Sequence, residues 1–163
     1  MSTGFTKKIR AFISYPGSDG LAIAKELADI LVQEGHKVWL FENHRTWGAS
    51  TWREISINIT DQSDVFIYVC TGSSSTSRGQ ELETGYALDA RRVKPLVLII
   101  NGAVVPPELT GMNYEEVTTK KLEERLKTIA RSLPSTLARI YRLEEAVKAK
   151  AIPADNLQFG ERG

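Results

Sequence analysis

IRAFISYPGSDGLAIAKELADILVQEGHKVWLF, residues 9–41, reads as a strand, a helix and a second strand in immediate succession. Residues 9–15 form an apolar, β-rich run that ends at Pro16-Gly17, a turn signal. Ser18 or Asp19 can cap a helix there. Ala24, Leu27, Ala28 and Leu31 then fall at i, i+3, i+4 and i+7, one helical face. Gly35 stops that helix at the C′ position, and 37–41 (KVWLF) reads as a second buried strand.

The alternation continues outward from this unit. Residues 42–50 (ENHRTWGAS) are polar and irregular, and Thr51-x-x-Glu54 is a capping box opening a helix lined by Trp52, Ile55 and Ile59. Residues 64–70 (DVFIYVC) read as a third strand and 71–77 (TGSSSTS) as a loop. Ser77-x-x-Gln80 is a second capping box, opening a helix to about Arg91. A fourth strand is expected over 95–101 (PLVLIIN), a loop over 102–112 and a short fifth strand over 113–117. Leu122, Leu126, Ile129 and Leu133 mark an amphipathic helix that Pro134 should break, with another helix over 135–150. Residues 1–150 are thus expected to form one domain and 151–163 a flexible C-terminal tail. Strands alternating with helices predict an α/β, flavodoxin-like three-layer sandwich. Its five-stranded, mainly parallel sheet should have the order 2-1-3-4-5. That order places the functional crevice at the carboxyl ends of the first and third strands. Residues 14–19 and 71–83 therefore border it, with 42–50 beside them.

Composition excludes several classes. The 163 residues are 42% hydrophobic and 25% charged, which argues against disorder. A net charge of +1 is weak ground for a nucleic-acid binder. Residues 120–150 hold nine basic and four acidic side chains, a pattern open to either a solvated helical face or an anionic partner surface. Cys70 is the single cysteine, so no internal disulfide forms; with His36 and His44 as the only histidines, no metal site is expected. A reducing, cytoplasmic setting fits. MSTGFTKKIR carries no apolar signal segment, and the longest apolar run, 95–100, is too short to span a bilayer. Neither a membrane nor a nucleic acid is an expected partner.

Several chemistries lack their motifs. The first strand is not followed by G-x-G-x-x-G, and neither G-x-x-x-x-G-K-[ST] nor G-x-S-x-G occurs. The third strand ends at Cys70-Thr71 without the aspartate of a phospho-accepting receiver. Glu83 remains. With Ser77 as N-cap it falls in the second turn of its helix, and Gly79 lies four residues earlier on the same face. Glycine near a helix start costs about 1 kcal/mol relative to alanine, which room for a ligand beside Glu83 would explain. A surface carboxylate near the favourable end of the helix dipole is the other explanation, and position alone leaves both open.

At these residues the sequence resembles a family. Phe12-Ile13-Ser14-Tyr15 is similar to the opening motif of TIR domains, and Gly35-His36-Lys37-Val38-Trp39 to the start of their second strand. Gly48 to Ile55 (GASTWREI) resembles the end of their BB loop and the helix after it; Ser63-Asp64 ahead of an apolar strand matches as well. Ser77-x-Gly79-x-x-x-Glu83-x-x-x-Ala87 resembles the family's serine, tryptophan, catalytic glutamate and alanine, with Gly79 in the tryptophan's place. Gly79, Glu83, Gly85, Tyr86 and Ala87 also resemble the G-x-x-x-E-x-G-Y-A pattern of nucleoside 2-deoxyribosyltransferases and related N-glycosidases. Both families break a C1′–N bond with a glutamate at this place.

The resemblance implies a TIR-type NAD+ hydrolase or cyclase with Glu83 as the catalytic carboxylate and NAD+ as substrate, without a resident cofactor. Nicotinamide leaves as a neutral ring from a pyridinium, so no general acid is needed. One carboxylate can steady the oxocarbenium-like transition state, whereas O-glycosidases need two. Tyr15-Pro16-Gly17 can pack on nicotinamide or ribose, with Gly17 admitting a close backbone, or form an ordinary turn. Ser14 can bond the ligand or cap the strand end; Ser77 is first an N-cap and second a ligand contact. Trp47 can stack on adenine or a neighbouring subunit, or anchor its loop. Glu42 can reach a ribose or stay solvated. Trp39 and Trp52 are expected in the core, and Glu81 is the rival carboxylate. The products would be nicotinamide with ADP-ribose or a cyclic isomer, serving a Thoeris-like antiviral signal read by a downstream effector. A non-catalytic adaptor working through TIR–TIR association and a nucleotide N-glycosidase are the alternatives.

Overall fold

The computed structural model describes residues 8–17, 19–40, 51–90 and 92–162, with side chains described up to 149 except for 51–54. Five strands, β1 (Arg10–Ser14), β2 (Lys37–Trp39), β3 (Val65–Cys70), β4 (Lys94–Ile100) and β5 (Tyr114–Val117), form one sheet in the order β2-β1-β3-β4-β5. Every pairing is parallel, with Ser14 opposite Tyr68 near the end of the β1–β3 ladder. Four helices, α1 (Leu21–Gln33), α2 (Thr51–Thr60), α3 (Arg78–Ala90) and α4 (Leu122–Arg162), cover it. This is the expected α/β architecture and strand order.

The twofold alternation of strand side chains builds the three layers. Ala11, Ile13, Val65, Ile67 and Val69 face α1 and α4, where they meet Ala24, Leu27, Leu31, Leu126 and Leu133. Phe12, Phe66, Tyr68 and Cys70 face the other way, toward Ile55 and Ile59 of α2 and Ala87 of α3. Trp39, read as core, is half-buried and stacks on Phe12 with ring centroids 4.9 Å apart. The same alternation puts Ser14, two residues after Phe12, on the α3 face.

Two local readings are corrected. Asp19 does not cap α1; its N-cap is Gly20, which makes no side-chain cap bond. The Asp19 carboxylate instead accepts hydrogen bonds from Thr71, at 2.6 Å, and from Ser73. Gly20 is demanded by close approach: a Cβ there would lie 2.6 Å from Pro16 Cδ and 2.9 Å from Pro16 O. At the other end of α1 the expected stop holds. Gly35 has φ +92°, its N–H donates to Val32 O and that of His36 to Leu31 O, a Schellman ending.

The second correction concerns Pro134, which does not break its helix: α4 runs without interruption through it from Leu122 to Arg162. An interior proline costs about 3 kcal/mol. The buried stripe Leu126, Ile129, Leu133 continues beyond it as Leu137 and Ile140. At roughly 1.5–3 kcal/mol for each fully buried side chain, those two residues offset the proline.

Candidate active site

The switch point of this open parallel sheet lies where α1 leaves β1 for one face and α3 leaves β3 for the other. Ser14 ends β1 and is fully buried. Ser77 caps α3 by accepting the Gln80 N–H at 3.2 Å, as half of the expected capping box requires. From that start, α3 turns Gln80, Glu83, Thr84 and Ala87 inward at i, i+3, i+4 and i+7. Glu83 is 8% exposed, and its Oε1 accepts a 2.7 Å hydrogen bond from Ser14 Oγ. Burial pushes its pKa up to about 7, and the Ser14 hydroxyl pulls it part of the way back. The site therefore holds a carboxyl poised to change charge near neutral pH, with a hydroxyl fixed on one oxygen.

The other half of the capping box is not formed as read. The Gln80 side chain does not return to Ser77. It is fully buried, and its Nε2 donates to Val69 O at 2.9 Å and Ser14 O at 3.2 Å. Sequence reasoning missed this role, although a polar residue at an inward helical position was the signal for it. It also missed the clasp in which Asp19 holds Thr71 and Ser73 across the two loops, bonds that draw the Asp19 pKa down, Ser73 most.

The remaining candidates fall into distinct places. A Cβ at Gly79, one turn before Glu83, would meet nothing within 4 Å, so this side of α3 is open. Gly17 is exposed and likewise faces open space. Tyr15 is half-buried and packs against the α1/α4 core. Glu42 and Trp47 lie outside the described residues, as does the Trp52 side chain. Glu81, the rival carboxylate, is exposed and lines a cleft of about 330 Å³ with Tyr68, Ser77, Arg78 and Glu108. Ser14 and Glu83 are not part of that lining. A larger groove, about 1000 Å³, runs past Ile9, His36 and Tyr141 at the amino ends of the strands, the end of the sheet opposite Glu83. Burial raises the Tyr68 phenol to about 12 and also pushes the Cys70 thiol up. Among the described residues no three His, Cys, Asp or Glu side chains converge as metal ligands would. No described helix is long and apolar enough to cross a membrane.

Comparison with known proteins gives the site a context. The sequence model of one family, described as TIR domain, matches residues 11–130. No curated protein matches the sequence. A metazoan TIR-STING receptor from C. gigas, solved in complex with 2',3'-cGAMP, superposes with a TM-score of 0.59 at 21% identity. That match covers 77% of this chain but only 40% of the receptor chain, so the shared fold spans less than half of the receptor. A diflavin flavoprotein A3 from Nostoc sp. superposes with a TM-score of 0.54 at 13% identity, over 85% of this chain and 99% of the other. At such identities both likenesses concern the fold, which the flavoprotein shares.

Proposed function

The chain belongs to the TIR domain family, and from that premise we propose that it cleaves the nicotinamide–ribose bond of NAD+, with Glu83 as the catalytic residue. The observation that carries this reading is the buried Glu83 carboxyl at the carboxyl end of β1, bonded to Ser14. The C1′–N bond breaks, and its electron pair neutralises the pyridinium ring, which departs as nicotinamide. Positive charge is left on the ribose. An ionised Glu83 in a poorly solvated site attracts that charge more strongly than a carboxylate in water would. Water then captures C1′ and gives up a proton, to solvent or to the Glu83 carboxylate, leaving ADP-ribose; a nucleophile of the same molecule, losing any proton it carries the same way, would instead close a cyclic isomer. The cationic ring of the bound substrate favours the ionised form of Glu83, opposing the burial that raises its pKa. TIR–TIR self-association, a Thoeris-like immune role and a downstream effector reading the product belong to the same proposal.

The open space at Gly79 favours a second reading. Within the G-x-x-x-E-x-G-Y-A pattern it suits a deoxynucleotide N-glycosidase, which would release a nucleobase and leave NAD+ intact. Mass analysis of products from NAD+ and from deoxynucleotides, run on wild type and Glu83→Gln at equal protein, separates the two. We expect nicotinamide release to fall at least about 100-fold in Glu83→Gln, the scale of losing a principal electrostatic group. Undiminished release would remove Glu83 from the chemistry.

A further inference from the structure

We propose that Gln80 is a positioning residue whose side-chain amide clamps the carboxyl ends of β1 and β3 and thereby sets the Ser14–Glu83 pair. The inference deepens the reading of Glu83 as the acting carboxylate and rests on it for its kinetic consequence. Three hydrogen bonds tie α3 to the strand ends, and two of them, with the helix backbone, form a closed ring. Gln80 Nε2 holds Ser14 O at 3.2 Å and Val69 O at 2.9 Å, and Ser14 Oγ holds Glu83 Oε1 at 2.7 Å. Gln80 and Glu83 are one turn apart on α3, so the ring is closed by the helix itself. Ser14 is consequently gripped twice by one helix, through its carbonyl and through its hydroxyl. The Gln80 N–H is also tied, to Ser77 at the helix start.

Core filling does not call for an amide here. Gln80 is fully buried, and its Oε1 has no hydrogen-bond partner among the described residues, as is true of Thr84 Oγ1 one turn on. An unpaired buried oxygen is costly, and an aliphatic side chain would occupy the place without it. What the amide adds is two donors in a fixed fork, aimed at carbonyls on two adjacent strands. Without them, the Ser14 carbonyl loses its hold on α3 and Val69 O, of its side-chain donors, keeps the longer 3.3 Å bond from Ser74 Oγ. The Ser14 hydroxyl is then no longer held against Glu83. Since that hydroxyl stabilises the ionised carboxylate, loosening it raises the pH at which Glu83 ionises. Burial first, and the Glu83 charge only last and least, raises the phenol of Tyr68 on β3 to about 12, so it stays neutral through the assay; Ser14 faces Glu83 from β1.

The test is the Glu83 carboxyl titration followed by carbon-13 NMR, beside the pH profile of nicotinamide release, in wild type, Gln80→Leu, Ser14→Ala and the double variant. Gln80→Leu should move the Glu83 midpoint up by at least about half a pH unit and lower kcat about tenfold, with KM within about twofold. Ser14→Ala should move the midpoint in the same direction, and adding Gln80→Leu to it should move it no further. An unmoved midpoint in Gln80→Leu, or a full further shift in the double variant, overturns the clamp. Gln80→Met, of similar length, repeats the test should the leucine variant fail to fold. In the wild type, the Gln80 side-chain amide signals should respond with the Glu83 midpoint, and their indifference would also overturn it. A wild type that releases no nicotinamide defeats the proposed function, while the titration still decides the clamp.

Discussion

Replacing Glu83 with Gln should make the protein more stable, and the gain should depend on pH. The folded state raises this carboxyl from its ordinary 4.5 to about 7. A raised pKa means the fold holds the proton more tightly than the unfolded chain does. Stability from this group is therefore complete below 4.5 and declines as pH rises, until the carboxyl is ionised in both states above 7. At roughly 1.36 kcal/mol per pH unit of displacement, the ionised carboxylate costs the native state about 3 kcal/mol. Glutamine is neutral throughout and can still accept the Ser14 hydroxyl. Urea unfolding of both proteins should give equal stabilities near about pH 4 and a gap opening to about 3 kcal/mol by about pH 8. For a chain of this size that gap is roughly 6–12 °C in Tm. A gap that stays constant with pH, or a variant less stable at every pH, would refute the argument that burial of Glu83 is what displaces its ionisation.

Gly20→Ala places a methyl group within 2.6 Å of Pro16 Cδ and should lower stability by about 1–3 kcal/mol, the range for overpacking, as read by urea unfolding; a change near zero would show that the loop shifts freely. Pro134→Ala restores a backbone N–H inside α4 and should raise the unfolding free energy by about 1–3 kcal/mol, with the helical circular dichroism unchanged or stronger. His36 accepts the Ile9 N–H at 3.1 Å through Nδ1, and burial lowers its pKa below 6.5. Its share of stability is present above 6.5 and is lost as pH falls through the folded-state value. His36→Asn should therefore lose less stability than wild type over that acidic range in parallel urea titrations, and identical losses would exclude His36 from the acid response.

What was legible in the sequence was whatever periodicity governs. The unbroken apolar run 65–70, buried on both faces, and the helical spacing from Ala24 to Leu31 were readable locally, and the alternation of strands with helices pointed to the strand order. Glu83 was singled out by the absence of other motifs and by the family resemblance; in the fold it shares the inward face of α3 with Ala87, whereas Gly79 borders open space. The misreadings share a cause. Asp19, Gln80 and Pro134 were assigned by local rules, and each local rule lost to a partner distant in sequence. Asp19 bonds Thr71 and Ser73, 52 and 54 residues away. Gln80 bonds Ser14, 66 residues away. Pro134 is overridden by apolar contacts on both sides of it. The pairing of Ser14 with Glu83 was closed to the sequence for the same reason: it depends on how α3 docks on β1.

That docking separates stability from chemistry within the molecule. The inward stripe of α1 is Ile23, Ala24, Leu27, Ala28, Ile30 and Leu31, and α4 contributes Leu126, Ile129, Leu133, Leu137 and Ile140 to the same face of the sheet. The inward stripe of α3 is Gln80, Glu83, Thr84 and Ala87, while Leu82, one of its two leucines, is 42% exposed. A covering helix is ordinarily held by an apolar stripe. Here Ala87, with Tyr86 and Ala90 beside it, supplies the apolar contact, and the rest of the stripe is held by hydrogen bonds to strand ends, with two buried oxygens unpaired among the described residues and a carboxyl displaced from its ordinary ionisation. The unpaired oxygens and the displaced carboxyl each weaken the fold. Their concentration on one helix, at the carboxyl end of the sheet where its connections diverge, is hard to account for by packing, and it is what an electrostatic site requires. The α1/α4 layer can sustain such a helix because its own burial does not depend on it.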